Sequence, residues 1–123
     1  MKTLILAVCA AAVVLFPLRA VAQTPGHDSP RVTISVPNAT LVGTTVLKPG
    51  EYRFQCKHIE GKSFLVVSDA GSGKELLRVP CEEQALSDKV LASELHSVVR
   101  PDGTRVLQSV RIKGETIGHR VTD

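Results

Sequence analysis

Strict alternation of apolar and polar residues is the feature that most restricts the fold of this chain. Apolar residues occupy every second position of Val32–Val36, and in the segment EYRFQCKH the residues Tyr52, Phe54, Cys56 and His58 share one face. A period of two places successive side chains on opposite faces of a β-strand, whereas a helical face repeats every 3.6 residues. The alternation therefore predicts half-buried β-strands.

The chain after residue 30 continues as short β-rich segments separated by turns. These segments are ATLVGTTVL, SFLVVS, KELLRVP, TRVLQSVRI and TIGHRV, and glycine or proline stands between most of them. Seven or eight short strands at regular spacing are typical of an all-β fold, either an antiparallel β-sandwich or a small barrel. We predict a single β domain over residues 31–123, with a bend or bulge at Gly43.

One segment fits two secondary structures. Residues 82–95 hold many good helix formers, which favour a short helix around Glu82 to Leu86. From Lys89 onward the apolar residues fit either period, and the turn Pro101-Asp102-Gly103 that follows favours a strand.

The first 22 residues are predicted to be a cleaved secretory signal peptide. Lys2 precedes an apolar run from Leu4 to Phe16, and Ala20-Val21-Ala22 forms a small-x-small cleavage motif. The run is shorter than the roughly 20 residues that span a bilayer, so we expect no stable membrane anchor after cleavage. The protein is therefore expected to be exported, to the periplasm or outside the cell, with residues 23–30 as a flexible lead-in.

Cleavage changes the charge on which a choice of partner depends. Removal of Lys2 and Arg19 leaves 13 basic residues against 12 acidic ones, a formal charge of +1. A nucleic-acid-binding domain normally carries a clear basic excess on one face. We therefore expect no nucleic-acid partner.

Two cysteines, Cys56 and Cys81, remain in the predicted mature chain. In an oxidising compartment an even pair of cysteines is most simply a disulfide, and we predict a Cys56–Cys81 bond. Closing a loop of this length is expected to stabilise the domain by about 3–4 kcal/mol. A reactive thiol and a metal thiolate are the competing readings.

The histidines on which a metal site would draw are His58, His96 and His119. Cys56 and His58 lie two apart on one strand face and are close enough to bind one ion, but a site needs a third and usually a fourth ligand. Neither Cys81 nor the isolated His96 and His119 shows metal-ligand spacing. We therefore predict no metal site and no cofactor.

Catalytic motifs are also missing from the sequence. There is no G-x-S-x-G elbow and no H-E-x-x-H pair, and SDAGSGKE lacks the first glycine and the final serine or threonine of a phosphate loop. We interpret SDAGSGKE as a hairpin turn. Glu82 and Glu83 are consecutive, so their side chains point apart. We therefore predict that they are solvated and do not form an acid/base pair. We expect no enzymatic activity.

The segment Leu47–Tyr52 has the spacing L-x-P-G-x-Y, which resembles the tyrosine corner of Greek-key sandwiches. In that motif the tyrosine hydroxyl returns to a backbone group a few residues upstream. Pro49 and Gly50 would set up the bend, and Leu47 would pack beneath it. Similar L-x-x-G-x-Y segments occur in transthyretin-like and carboxypeptidase-regulatory-like β-sandwich modules, so the resemblance implies a structural role for Tyr52.

The longer stretch VPNATLVGTTVLKPGEYRF is similar to small exported bacterial proteins of unknown function, which read V-P-x-x-x-x-V-G and then L-P-A-G-x-Y. This chain departs from them at Lys48-Pro49, where Pro-Ala is usual. The likeness implies export and a β fold, and it brings no catalytic residues.

These observations lead to one functional expectation with two alternatives. We expect an exported, non-enzymatic β-sandwich that binds an unknown protein or another component of the cell envelope. The first alternative is a small barrel that carries an apolar ligand, because strands such as SFLVVS are rich in aliphatic residues. The second alternative is a metal-binding protein that uses Cys56 and His58.

Overall fold

The computed structural model describes residues 28–122, which form nine β-strands and no helix. The strands are β1 (Val32–Val36), β2 (Thr40–Val42), β3 (Thr45–Leu47), β4 (Gly50–Ile59), β5 (Lys62–Asp69), β6 (Glu75–Ala85), β7 (Glu94–Val99), β8 (Arg105–Arg111) and β9 (Ile117–Val121). The prediction of an all-β fold is confirmed. The predicted signal peptide, Cys9 and residues 23–27 lie outside the described residues, as does Asp123.

The strands form one open sheet in the order β1-β4-β5-β6-β9-β8-β2-β3, and β7 pairs with β8. All pairs are antiparallel except β2 and β8, which meet in parallel at Leu41 and Val106. The sheet has two halves, one formed by β1, β4, β5 and β6 and the other by β6, β9, β8, β7, β2 and β3. Strand β6 belongs to both, because it pairs with β5 as far as Pro80 and with β9 from Cys81 onward. The chain therefore changes sheet partners between Pro80 and Cys81.

The inner faces of both halves form a single apolar core. Val36, Val42, Leu47, Leu77 and Val79 belong to the same cluster as the apolar side chains that are 0% exposed, which are Phe54, Cys56, Leu65, Val67, Val110 and Ile112. The alternation is clear in β4 and β6, where every second side chain from Phe54 to Cys56 and from Leu77 to Cys81 enters this cluster. The predicted inward positions Phe54 and Cys56 are both 0% exposed.

The segment ATLVGTTVL forms two strands, which explains why the structure has nine strands where seven or eight were predicted. β2 and β3 are joined by a two-residue turn at Gly43 and Thr44. Gly43 has a φ of +62°, and a Cβ built there would lie 2.7 Å from Cγ1 of Val79. Both the backbone conformation and the close approach require glycine.

The short helix predicted around Glu82 to Leu86 is wrong. Residues Glu82–Ala85 continue strand β6 and pair with β9. Helix propensity is a weak preference that a neighbouring strand overrides when it satisfies the backbone hydrogen bonds. The strand predicted from Lys89 onward begins only at Glu94, and the preceding loop is held by bonds such as that from the N–H of Val90 to the carbonyl of Glu115, 2.9 Å.

The Leu47–Tyr52 segment connects β3, at one end of the sheet, to β4 in the other half. The Tyr52 hydroxyl donates a hydrogen bond of 2.6 Å to the carbonyl of Lys48, four residues upstream. Leu47 is 3% exposed and belongs to the core. This geometry has the hydrogen bond and the packed leucine that the tyrosine-corner resemblance implies.

Residues 28–30, the end of the predicted lead-in, lie against β4. Ser29 is buried, and its hydroxyl accepts a hydrogen bond of 2.8 Å from the backbone N–H of Cys56. The carboxylate of Asp28 accepts the N–H of His58 at 2.9 Å. These residues are thus fixed to the same stretch of β4 that carries Cys56.

Among residues 28–122 there is no helix with the length and apolar character needed to cross a bilayer.

Candidate functional site

Three strands contribute one chemically distinctive side chain each to the core: Cys56 from β4, Cys81 from β6 and His119 from β9. Cys56 is 0%, His119 1% and Cys81 7% exposed. Cys81 lies at the position where β6 leaves β5 and begins to pair with β9. This change of partner brings β9, and with it His119, over the two cysteines.

The potential ligand atoms of these three residues form a compact group. The two Sγ atoms are 3.5 Å apart, and the two sulfurs and a ring nitrogen of His119 all lie within 4.8 Å of one another. We call Cys56, Cys81 and His119 the thiol–imidazole cluster. Its chemistry is that of two soft sulfur donors and one imidazole nitrogen, which together suit thiophilic metal ions or thiol redox reactions.

The imidazole of His119 is oriented by a carboxylate. Nε2 lies 2.8 Å from Oε1 of Glu115, whereas Nδ1 is buried and has no hydrogen-bond partner among the described residues. A carboxylate accepts hydrogen bonds, so Nε2 carries the hydrogen atom and donates a hydrogen bond to Glu115. In the neutral ring Nδ1 then carries the free lone pair.

The three members of the cluster perturb one another electrostatically. The hydrogen bond to Cys81, together with burial, raises the pKa of the Cys56 thiol far above its usual range. The same contact lowers the pKa of Cys81. Burial lowers the pKa of His119, but the neighbouring Cys56 thiol and Glu115 carboxylate outweigh burial and raise the value to about 9, so a metal ion at Nδ1 would displace a proton from the ring.

The cysteines of the predicted disulfide are neighbours, and both are free thiols in the structure. Their sulfurs are 3.5 Å apart, against about 2.05 Å in a disulfide. Strand β5 lies between β4 and β6, and two strand spacings in a flat sheet amount to about 9.6 Å. A disulfide requires a Cα separation of about 4.4–6.8 Å, so bond formation depends on how sharply this sheet curves. The disulfide stays a prediction.

The structure places the three candidate histidines in different surroundings. His58 is outside the thiol–imidazole cluster, and its Nε2 lies 3.4 Å from a carboxylate oxygen of Glu83. His96 lies 2.7 Å from Glu94 at the surface, where its side chain is 43% exposed. Only His119 joins Cys56 and Cys81.

Sequence spacing did not identify His119 as the partner of the cysteines because it is 63 residues from Cys56 along the chain. One signal was present: in the segment TIGHRV, His119 shares its strand face with Ile117 and Val121. A histidine flanked in this way by apolar residues is predicted to point inward. Which residues it would meet depends on strand pairing, which the alternation does not specify.

The outer face of the same strands carries a different feature, a polar groove of about 840 Å³. The strand register places Glu82 of β6, Arg120 of β9 and Ser109 of β8 side by side across three strands. Arg120 donates to Glu82 at 2.8 Å. Thr44, Arg100, Gln108 and Thr122 also line the groove, which we call the outer groove.

Two further predictions concern the surface. SDAGSGKE forms the turn between β5 and β6, where the carboxylate of Asp69 accepts the backbone N–H of Ser72 at 2.8 Å. Glu82 and Glu83 point apart as predicted, because Glu82 meets Arg120 whereas Glu83 meets His58.

Comparison of the chain with models of known protein families, with curated proteins and with solved structures found no match. The possible activities of this protein therefore follow from its own residues and their geometry.

Proposed function

We propose that this protein is an exported, non-catalytic binding module that uses the outer groove to hold a polar component of the cell envelope. Export is supported by the signal-peptide pattern of residues 1–22 and by the likeness to small exported bacterial proteins. The binding role rests on one observation, the groove of about 840 Å³ across the outer faces of β6, β8 and β9.

The chemistry of the outer groove favours a hydrophilic partner. Arg120 is already paired with Glu82, but Arg100 is exposed and forms no ion pair with another residue among positions 28–122. Gln108 and Ser109 add hydrogen-bonding groups beside these charges. A free guanidinium beside neutral polar groups suits a carboxylate or phosphate of the partner, because arginine can bind both oxygens of such a group at once.

The apolar-carrier alternative has less support. A carrier needs a cavity lined by apolar side chains, whereas Phe54, Leu65, Val67 and Val110 are fully buried within a single cluster. The outer groove is lined mainly by polar and charged side chains. Binding at the surface is therefore the simpler use of this fold.

Site-specific photocrosslinking in the native host tests the proposal. A photoreactive amino acid replaces Gln108 inside the outer groove, and in a matched strain it replaces Lys62 in the hairpin between β4 and β5. We expect one discrete crosslinked product from position 108 and none of that mass from position 62. Intact-mass analysis of the same exported protein should show loss of residues 1–22.

Charge reversal sharpens this experiment. Arg100→Glu should abolish the product from position 108, whereas Lys113→Glu, an exposed lysine that does not line the groove, should leave it unchanged. Equal crosslinking from positions 108 and 62 would contradict the use of the outer groove. A product that withstands Arg100→Glu would contradict the role given to the free guanidinium.

A further inference from the structure

We propose that the thiol–imidazole cluster is a zinc site, in which Cys56 Sγ, Cys81 Sγ and His119 Nδ1 bind one Zn²⁺ ion. The sequence predicts no metal site because the three residues share no local spacing. The fold brings them together from β4, β6 and β9, with their ligand atoms within 4.8 Å of one another. This site lies on the inner face of β6 and β9, and it is independent of the outer groove.

The separation of the sulfurs matches a shared metal better than a direct bond. Two thiolates about 2.3 Å from one zinc ion at tetrahedral angles have sulfurs about 3.8 Å apart. The observed distance is 3.5 Å, so an opening of a few tenths of an ångström brings the two sulfurs to the separation of a tetrahedral site. A disulfide needs the sulfurs to move about 1.5 Å closer, to about 2.05 Å, across the intervening strand β5.

The surroundings of His119 supply the second observation that points to a ligand. Nδ1 is buried without a partner among residues 28–122, and a buried polar atom normally has one. At the other side of the ring, Nε2 donates to Glu115 at 2.8 Å. Metal-binding histidines almost always donate their second N–H to a carboxylate or carbonyl, which fixes the tautomer and leaves the other nitrogen free for the ion.

Charge balance selects a divalent, thiophilic ion. The cluster is almost completely buried, and a net charge in such a place is costly. Two thiolates and a neutral imidazole carry two negative charges, which one Zn²⁺ neutralises. Sulfur donors disfavour Mg²⁺ and Ca²⁺, which prefer oxygen ligands. Three protein ligands leave the fourth position of tetrahedral zinc for a small additional ligand.

Zinc binding and a Cys56–Cys81 disulfide exclude each other because both use the same two sulfur atoms. The intact mass of protein recovered from its own host separates these states, since a disulfide removes two hydrogens and zinc adds one metal atom. We expect both thiols to be present and one zinc ion to be retained under native conditions. A mass lower by two hydrogens, with Cys56 and Cys81 in one linked peptide, would overturn the proposal.

Cobalt provides the direct spectroscopic test of the site. The full chain is expressed, recovered in its reduced and metal-free form, and titrated with Co²⁺ and then with Zn²⁺. We expect one equivalent of Co²⁺ to produce a thiolate-to-cobalt charge-transfer band and tetrahedral d–d bands, and one equivalent of Zn²⁺ to remove both. If the wild-type protein binds no metal stoichiometrically, the site does not exist.

Five variants assign the ligands. Cys56→Ser and Cys81→Ser should each weaken the charge-transfer band, and His119→Gln should lower zinc affinity at least about 10-fold. Glu115→Gln should lower it about 10–100-fold, the range typical of residues that orient a ligand. His96→Gln removes the exposed histidine of the comparable His96–Glu94 pair and should change nothing.

A core variant that fails to fold leaves the site testable through Glu115. Far-ultraviolet circular dichroism identifies any cysteine variant that does not fold, and Glu115→Gln still reports on the site because this residue lies next to the cluster without binding the ion. The full chain also contains Cys9, within the predicted signal peptide. A cobalt spectrum that changes in Cys9→Ser would show that Cys9 binds the ion and would contradict the proposed ligands. Metal binding as strong as that of the wild-type protein in both His119→Gln and Glu115→Gln would also overturn the proposal.

Discussion

The two faces of strands β6 and β9 show how one pair of strands supports two kinds of chemistry. On the inner face, Cys81 and His119 are at most 7% exposed and lie beside Cys56. On the outer face, Glu82 and Arg120 form an ion pair whose side chains are more than half exposed. Adjacent residues on each strand therefore experience almost opposite surroundings.

This difference determines what each face can do. Inner groups cannot be solvated, so they must be paired, neutral or bound to an ion, and their geometry is fixed by packing. Outer groups are hydrated, and an exposed ion pair contributes about 0–1 kcal/mol to stability. We therefore assign a precise, buried ligand set to the inner face and an adaptable binding surface to the outer face.

The largest expected difference between the faces is in the free energy of unfolding. Leu65 lies on β5 between Cys56 and Val79 and is 0% exposed, so Leu65→Ala should cost about 2–5 kcal/mol. Arg78→Ala removes an outer, partly exposed side chain that pairs with Glu75, and should cost less than about 1 kcal/mol. Urea denaturation of both variants measures this difference. Equal losses would contradict the assignment of the two faces.

The two histidine–glutamate pairs provide a smaller, matched contrast. His119→Gln disrupts the buried bond to Glu115 and should cost about 1–3 kcal/mol, because polar groups in the core lose their partner. His96→Gln alters a surface pair and should change stability by less than about 0.5 kcal/mol. Urea unfolding of the reduced, metal-free proteins isolates the protein contribution. A larger loss for His96→Gln would reverse the comparison.

Tyr52 combines both kinds of surroundings, because its ring packs against the core whereas its hydroxyl makes a hydrogen bond at the surface. Tyr52→Phe keeps the ring and removes only the bond to the Lys48 carbonyl. We expect a loss of about 0.5–1.5 kcal/mol, the net value of one hydrogen bond. Thermal unfolding measures this loss of stability. Thr45→Ser, at an exposed strand residue, is the control. A loss of several kcal/mol would mean that the corner contributes more than this bond.

The smallest expected effect is a pH dependence in the turn between β5 and β6. Hydrogen bonds from the backbone and hydroxyl of Ser72 lower the pKa of the Asp69 carboxyl below 3.8. A lowered folded pKa means that this contribution is present above pH 3.8 and is lost as the pH falls through the folded value. Stability measured from pH 6 to pH 3 should therefore fall less steeply in Asp69→Asn than in the wild-type protein.

A second turn provides an independent test of the same effect. The Asp102 carboxyl accepts the backbone N–H of Thr104 at 2.9 Å, and this bond lowers the pKa of Asp102. Asp102→Asn should therefore change the acid limb of the stability curve in the same direction. A steeper acid limb in either variant would contradict the stated role of these hydrogen bonds.

Local patterns in the sequence determined the strand content and, for many residues, whether the side chain points into the core or out to solvent. Alternation in EYRFQCKH placed Phe54 and Cys56 in the core, and the spacing L-x-P-G-x-Y led to the hydrogen bond that Tyr52 makes with Lys48. Both are short-range effects, because the direction of a side chain on a strand depends on its immediate neighbours. The same local reasoning failed at Glu82–Ala85, where pairing with β9 overrides helix propensity.

Only the tertiary structure decided which inward side chains meet. His119 joins Cys56 and Cys81 because β6 exchanges β5 for β9 at Pro80–Cys81, a change that no local period encodes. His58 has the right sequence spacing from Cys56 but lies against Glu83. Periodicity specifies the face of each residue, whereas strand order, register and curvature specify its neighbours, and these arise from packing between residues that are distant in sequence.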